Sequence, residues 1–487
     1  MLATALTIIA IVTQDQAALR AAPRESAAQQ AVLWAGDSLE IRGEKGDYLQ
    51  VYDHRRERAG YIPASQVRVQ SLAPDAAPEL LTVVRFLKDS AGSEALGISY
   101  AAAYLKAAPA QAIDSEVFDA LGTMSERLAR RASAGRPGKA GEIVAAQLEV
   151  AANYGVNMVS FERDGQMQLC PDGEAHRRVL AMPAPESRKA AAALALTRHD
   201  CVAPTLTPVE RYALDAWRAD MLDRVKLENL PEMTKNRIHL RKAGVWASLA
   251  WQRARRAELG GAAGGAAAAG AGAGAVQEAG RRAIDELAAI NKSELMETYA
   301  TAYSDAAIRV GASRWAAEPG VPAGTTKASL DVVLSTGQPG ETCVHLVDAT
   351  HDAQHALASR CTYGIVWPAS ATANRQGTAL ALAVQPLDTW REMWVFRQDT
   401  DGWHVEVLPP ALDAPRLGYV EFAGWVPGNA EMLAAREAKL DGRYAQRFEV
   451  LSLATLETKK QADRVNNLST FYRWQDPVWK AQTVSVR

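Results

Sequence analysis

The chain has 487 residues, 48% of them hydrophobic and 23% charged, with a formal net charge of −2. At roughly 150 residues per domain this length implies about three domains, each long enough to bury a core. The composition excludes wholesale disorder and the near-neutral charge excludes a generally cationic nucleic-acid binder. No uncharged apolar run approaches the roughly 20 residues of a membrane-spanning helix.

The first element is Leu2 to Val12, an eleven-residue apolar stretch ahead of a polar Thr-Gln-Asp-Gln segment. Its length suits the apolar region of a secretory signal and falls well short of a span. No Lys or Arg precedes it and no A-x-A cleavage site follows. The competing reading makes Ile8 to Thr13, rich in β-branched residues, the first strand of the next domain. The expectation is export, with residues 1–11 as a signal segment or its remnant and the first domain opening at residue 12.

Residues 12–70 read as short strands punctuated by turns. Leu39 and Ile41 alternate with polar neighbours after Gly36-Asp37, and Leu49 and Val51 do so after Gly46-Asp47. Gly60-Tyr61-Ile62 follows a charged Asp53 to Arg58 turn. With Ala18-Leu19-Arg20, Val32 to Ile41, Tyr48 to Val51 and Val67, this segment resembles a bacterial SH3-like domain, although Asp47-Tyr48 stands where many members carry Gly-Trp. The resemblance implies a small β-barrel that recognises peptides, cell-wall peptides among them, or docks within a larger protein. Trp34, Tyr48, Tyr52 and Tyr61 are the candidate binding residues, because aromatic rings offer stiff, amphipathic contact area. The same four residues would also serve as core.

From 76 to 318 the period becomes helical. Leu80, Val83, Val84 and Leu87 form one stripe, and Val117, Leu121, Met124 and Leu128 form another. Thr207-Pro208-Val209-Glu210 is a capping box around a Pro at the first helical position, and Leu214, Trp217 and Met221 mark the expected apolar face behind it. Met158 to Phe161 and Met167 to Leu169 flank Asp164-Gly165 as an inserted hairpin. Residues 260–275 are seven Gly and nine Ala, a composition that opposes a stable helix and predicts a flexible loop between two helices. The whole region reads as an antiparallel helical scaffold.

Residues 326–487 return to short strands, and seven of the twelve Trp lie after Cys361, which points to a β-domain built on aromatic pairs. Trp367-Pro368, Trp425-Val426-Pro427 and Trp474-Gln475-Asp476-Pro477 recur, each ahead of an expected second strand: Thr378 to Gln385, Glu431 to Ala438 and Trp479 to Arg487. The pattern resembles β-propeller blades of the TolB type, with Trp425-Val426-Pro427-Gly428-Asn429 as the nearest copy of their turn. The third repeat would be completed by strands at Cys343 to Ala349 and Gln354 to Ser359, and the three blades that result leave another antiparallel sandwich as the rival architecture.

The four cysteines fall as two local pairs, Cys170 with Cys201 and Cys343 with Cys361, the usage of an exported disulfide protein. Each closure would stabilise by roughly 3 to 4 kcal/mol in the chain-entropy model; four buried thiols in a reducing compartment are the alternative. No Cys-x-x-Cys spacing, nucleophile elbow, Walker loop, dinucleotide fingerprint or H-E-x-x-H motif is present, so no catalytic residue, metal site or cofactor is assigned. His345, His351 and His355 are read as a solvated turn, His199-Asp200-Cys201 as chance adjacency, and Ser293-Glu294 as too isolated to be a glycosidase acid. The sequence thus reads as a multidomain α+β protein, periplasmic or otherwise exported. Its expected role is a non-enzymatic scaffold that binds protein or cell-wall peptide partners, with no nucleic acid and no membrane span; the alternative is a cell-wall hydrolase targeted by its SH3-like module.

Overall fold

A computed structural model describes residues 8–319 and 330–482, apart from 136, 164, 296, 413–416, 429 and 441 and the side chains of 258–271, 298 and 482. The expected signal residues 1–7, the turn positions Asp164, Asn429 and Asp441, and residues 326–329 and 483–487 therefore lie outside the described residues. The protein is mixed α+β with largely antiparallel sheets, and its contacts divide it into two compact units: 1–206 with 224–229, and 207–223 with 230–487. The helical stretch expected as one domain over 76–318 is shared between them.

The first unit opens with seven strands: β1 (Ile8–Val12), β2 (Ala17–Arg20), β3 (Gln29–Leu33), β4 (Ser38–Lys45), β5 (Tyr48–Asp53), β6 (Arg58–Pro63) and β7 (Val67–Ser71). They form one antiparallel sheet in the order β3-β2-β6-β5-β4-β1-β7. β1 pairs with β4 on one side and β7 on the other, and Ala10, Ile11 and Val12 are fully buried. This corrects the signal expectation over residues 8–11. Ala10 and Val12 enter the sheet's own core with Leu19, Leu33, Val51 and Ile62, whereas Ile11 enters the helical core with Leu80, Val84 and Ile98. A strand buried on both faces reads as an unbroken apolar run, the same pattern as a secretory signal.

Helices α1 (Ala77–Asp89), α2 (Glu94–Ala107), α3 (Ser115–Ser133) and α4 (Lys139–Asn153) follow, then the hairpin β8 (Met158–Arg163) and β9 (Gln166–Pro171), then α5 (Glu174–Ala181) and α6 (Glu186–Leu196). Of the first stripe Leu80, Val84 and Leu87 are buried, and Val117, Met124 and Leu128 are buried on α3. Glu94 on α2 is wholly buried and ion-paired to Arg127 and Arg131 of α3, which ties these two helices together. Cys170 at the end of β9 is disulfide-bonded to Cys201.

The second unit begins with α7 (Pro208–Asp223), whose capping box forms: the Thr207 amide donates to Glu210 Oε2 at 2.9 Å, and the Glu210 amide to Thr207 Oγ1 at 3.4 Å. Its buried positions are Asp215, Arg218, Ala219 and Leu222, one step round from the expected Leu214, Trp217 and Met221, which are half-buried. The shift follows from a polar core, since Asp215 accepts from Arg211, Arg218, Ser248 and Gln252. The backbone from Glu232 to Ala288 (α8) is helical in conformation but forms two antiparallel arms and not one rod, so a connection between two helices does fall in the region expected at 260–275, with helical in place of loop backbone. The arms are joined side by side: Asn236 bonds Asn291, His239 bonds Glu286, and Arg253 donates to the Ala275 carbonyl at 2.9 Å. α9 (Ala300–Ser313) packs against α8.

Three β-layers follow. β10 (Asp331–Thr336), β11 (Thr342–Val347) and β12 (Ala358–Thr362) form a three-stranded antiparallel sheet. β13 (Ile365–Ala373), β14 (Ala379–Leu387), β15 (Trp390–Asp399) and β16 (Gly402–Leu408) form a meander, as do β17 (Gly418–Trp425), β18 (Glu431–Leu440), β19 (Arg443–Ser452) and β20 (Thr458–Ala462). The meanders join into one sheet through a short parallel pairing of β15 with β17. Alternation then assigns each face. Leu380, Leu382 and Val384 of β14 pack with Val344 and Leu346 of the small sheet, whereas Ala379 and Ala381 pack with Val420, Met432 and Ala434 of the second meander. The second meander's other face meets Ile308 of α9 together with Phe471 of α10 (Ser469–Trp474) and Trp479 of α11 (Pro477–Gln482).

The second strands expected at Thr378 to Gln385 and Glu431 to Ala438 correspond to β14 and β18. The third, at Trp479 to Arg487, is corrected: the described part of that segment is helical, because Asp476 caps it through its carboxylate to the Val478 amide at 2.7 Å and Pro477 supplies the first helical position. β11 pairs with β10 and β12 and completes no C-terminal repeat, and the described strands close no ring.

Candidate functional site

Tyr48, Gln50 and Tyr52 alternate along β5 with buried Leu49 and Val51, so the two tyrosines lie on the face opposite the sheet's core. Tyr61 stands directly opposite Gln50 on β6, and cross-strand partners share a face. The three tyrosines therefore form a triangle of half-buried rings on one sheet surface. Arg20 lies opposite Tyr61, and the Arg42 guanidinium sits 3.9 Å from the centre of the Tyr52 ring. His54 meets the same ring edge-on at 4.9 Å between centroids. Hydrogen bonds from Arg42 and from His54 hold the Glu40 carboxyl below its usual range, so this rim carries a negative charge beside the Arg42 cation.

Trp34 is not part of that triangle. It lies just beyond β3, in a turn where its amide donates to Asp37 Oδ2 at 3.0 Å. Burial pushes the Asp37 carboxyl up despite the neighbouring Arg56. Gly36 adopts φ of +100°, and a Cβ there would stand 2.7 Å from the Ala95 carbonyl oxygen of α2. The Tyr154 hydroxyl donates to the Gly36 carbonyl at 2.6 Å. This turn joins the sheet to the helices, and Trp34 takes its position from that junction.

A concave feature belongs to the second unit. A cavity of about 70 Å³ is lined by Trp315, Leu382, Met393, Phe422, Val478 and Trp479, with Arg314, Glu421 and Asp476 among its polar groups. Glu421 on β17 is buried, paired with Arg314 and with Arg391 at 2.9 Å, and accepts the Trp479 indole N–H at 3.1 Å. Burial alone would raise its pKa, but the Arg314 and Arg391 charges outweigh that and hold it at about 2. A carboxylate so held is a fixed charge and has no proton to give at neutral pH. Sequence reasoning missed this cluster, whose members are spread from 314 to 479; its one signal is a Glu at an inward position of an otherwise apolar strand.

The histidines do not gather. His351 and His355 bond Asp348 and Asp352 within their own turns, whereas His345 lies between Ser335 and Ser359 on the sheet. His199 and Asp200 occupy a short 3-10 turn whose Cys201 is disulfide-bonded, and Ser293-Glu294 falls in another short turn. Both disulfides expected from the local pairing of the cysteines are formed, and no cysteine is free. No described helix is long and apolar enough to cross a membrane.

No family model matches the chain, nor does any curated protein or any solved structure.

Proposed function

We propose that the chain is an exported, non-enzymatic binding protein of the cell envelope that takes peptide, cell-wall or protein partners on its N-terminal sheet. The observation that carries this reading is the surface of Tyr48, Tyr52 and Tyr61, which stands over a core that Leu19, Leu33, Val51 and Ile62 already fill. Aromatic rings rimmed by Arg20, Arg42 and Glu40 offer apolar contact area together with charged hydrogen-bonding groups, the mixture that extended peptides need. In this reading the sheet is an SH3-like barrel, α1 to α9 are a scaffold, and the two four-stranded meanders are propeller-like blades.

Two disulfides fit a periplasmic or extracellular location. The hydrolase alternative finds little support in the cavity of the second unit, where Glu421 is the fully buried acid and its low pKa removes it as a proton donor. Incubating the purified full-length chain with soluble cell-wall fragments tests both readings at once. The expected result is retention of fragments whose masses are unchanged. Cleavage that survives repurification and disappears with a single side-chain substitution would overturn the non-enzymatic reading.

A further inference from the structure

The small sheet of the second unit holds a group of ligand atoms that the binding role does not use. The register of β11 with β12 places Cys343 directly opposite Cys361, and the two are disulfide-bonded. Val344 and Leu346 of β11 point into the core and are fully buried, so Cys343 and His345 occupy the opposite face. The turn from Gly337 to Glu341 folds back over this face. The Gly337 amide donates to the Glu341 carbonyl at 3.1 Å, and the Gln338 amide to Glu341 Oε2 at 3.0 Å. A Cβ on Gly337 would stand 2.5 Å from Glu341 Oε2 and 2.9 Å from Cys343 Sγ, so a side chain there would displace the Glu341 carboxylate and crowd the sulfur. A Glu341 carboxylate oxygen and the two sulfurs consequently lie within 4.8 Å of one another. His345 is next along the same face, its ring nitrogens held by Ser335 at 2.7 Å and Ser359 at 2.8 Å.

We infer that Glu341, Cys343 and Cys361 form a thiol-gated site for a zinc-type divalent cation, closed while the disulfide is intact and opened by its reduction. The gating is chemical, because a disulfide sulfur is a poor ligand and a thiolate is a strong one. The geometry survives the change, because the backbone ladder and the Gly337–Glu341 turn fix the three side chains without the S–S bond. Cys361 is exposed on the edge strand β12 and is the sulfur that an incoming thiolate reaches, whereas Cys343 is buried. A thiolate of a dithiol reductant attacks Cys361 Sγ, and Cys343 leaves as a thiolate that takes up a proton. The reductant's second thiol then releases Cys361, so two electrons and two protons pass to the cystine and the reductant becomes a disulfide. Binding of the cation displaces both thiol protons, and the Glu341 carboxylate supplies an oxygen ligand beside the two sulfurs. In the other disulfide Cys170 is buried and Cys201 half-buried, which makes Cys343–Cys361 the first to open.

The test uses the full-length chain and its C170A/C201A variant, which confines reduction to one bond. After reduction and removal of reductant, Co2+ is added as a spectroscopic probe and displaced with Zn2+. The expected result is a sulfur-to-cobalt charge-transfer band at one Co2+ per reduced chain, absent from the oxidised chain and abolished by C361S. E341Q should weaken binding by at least about tenfold. The proposal is overturned by the absence of that band in a chain whose two thiols are shown by mass mapping to be free, by a band that survives C361S, or by E341Q binding as tightly as the unsubstituted chain. Loss of the sheet signal in circular dichroism on reduction of the C170A/C201A variant also overturns it, because the site depends on the ladder.

Discussion

Glu421 shows how a single buried charge fixes the behaviour of its surroundings. Its carboxylate accepts from Arg314, Arg391 and Trp479, and removing its charge leaves guanidinium groups buried without their counter-ion. Breaking such a pair costs about 3 to 5 kcal/mol, so E421Q should lower the unfolding free energy of the second unit by that order in a denaturant titration. The pH dependence has a definite sign. With a folded pKa of about 2 against an ordinary glutamate value of 4.5, the Glu421 contribution is fully present above pH 4.5 and is lost as pH falls toward 2. Its size is on the order of 3 kcal/mol. His176 in the first unit works in the same direction by another cause. It is 5% exposed against Gly122, and burial lowers its pKa despite the nearby Glu126 and Asp119. The folded state therefore keeps it neutral while the unfolded chain takes up a proton below about pH 6.5. Stability of the first unit should fall as pH drops through that value. His176→Leu should flatten the dependence between pH 7 and 5, and a profile unchanged by the substitution would assign the effect elsewhere.

At the level of elements, the sequence was legible where one period dominated one face. The stripes of α1 and α3, the capping box of α7 and the alternation of β4, β5 and β6 all follow from side chains whose neighbours agree with them. It was misleading where tertiary packing supplied a second environment. β1 lies between two cores and so loses its alternation, and the inward face of α7 is built from Asp215 and Arg218, which no hydrophobic count selects. The C-terminal segment misled for a local reason, because a Trp-containing repeat suggested a strand whereas Asp476-Pro477 starts a helix. Trp479 on that helix is 5% exposed, packs edge-on against Phe471 at 5.5 Å, and donates to Glu421. W479A should thus destabilise the second unit by about 3 to 5 kcal/mol in chemical denaturation, through a lost aromatic core and one lost hydrogen bond to Glu421 rather than through an unpaired strand edge. Of the candidate site, three tyrosines could be placed on one face from strand alternation, but Trp34 could not be separated from them without the Gly36 turn.

Across the whole molecule, chemistry and location depend on groups that are far apart in sequence or paired only after oxidation. Peptide mapping of unreduced protein should recover Cys170 with Cys201 and Cys343 with Cys361; crossed pairs or four free thiols would contradict this pairing, and crossed pairs would also contradict the sheet register at Cys343. The central claim is that this is a binding protein whose ligand meets the tyrosine face of its N-terminal sheet. The most direct measurement is the affinity of the full-length chain for soluble cell-wall peptide fragments, compared with that of a Y48A/Y52A/Y61A variant whose thermal midpoint is checked alongside. All three rings stand outside the sheet's core, so the variant should remain folded. The account predicts that its affinity falls by at least about tenfold, consistent with the loss of aromatic contacts at the centre of an interface. Equal affinity in the two proteins, or no binding by either, would contradict it.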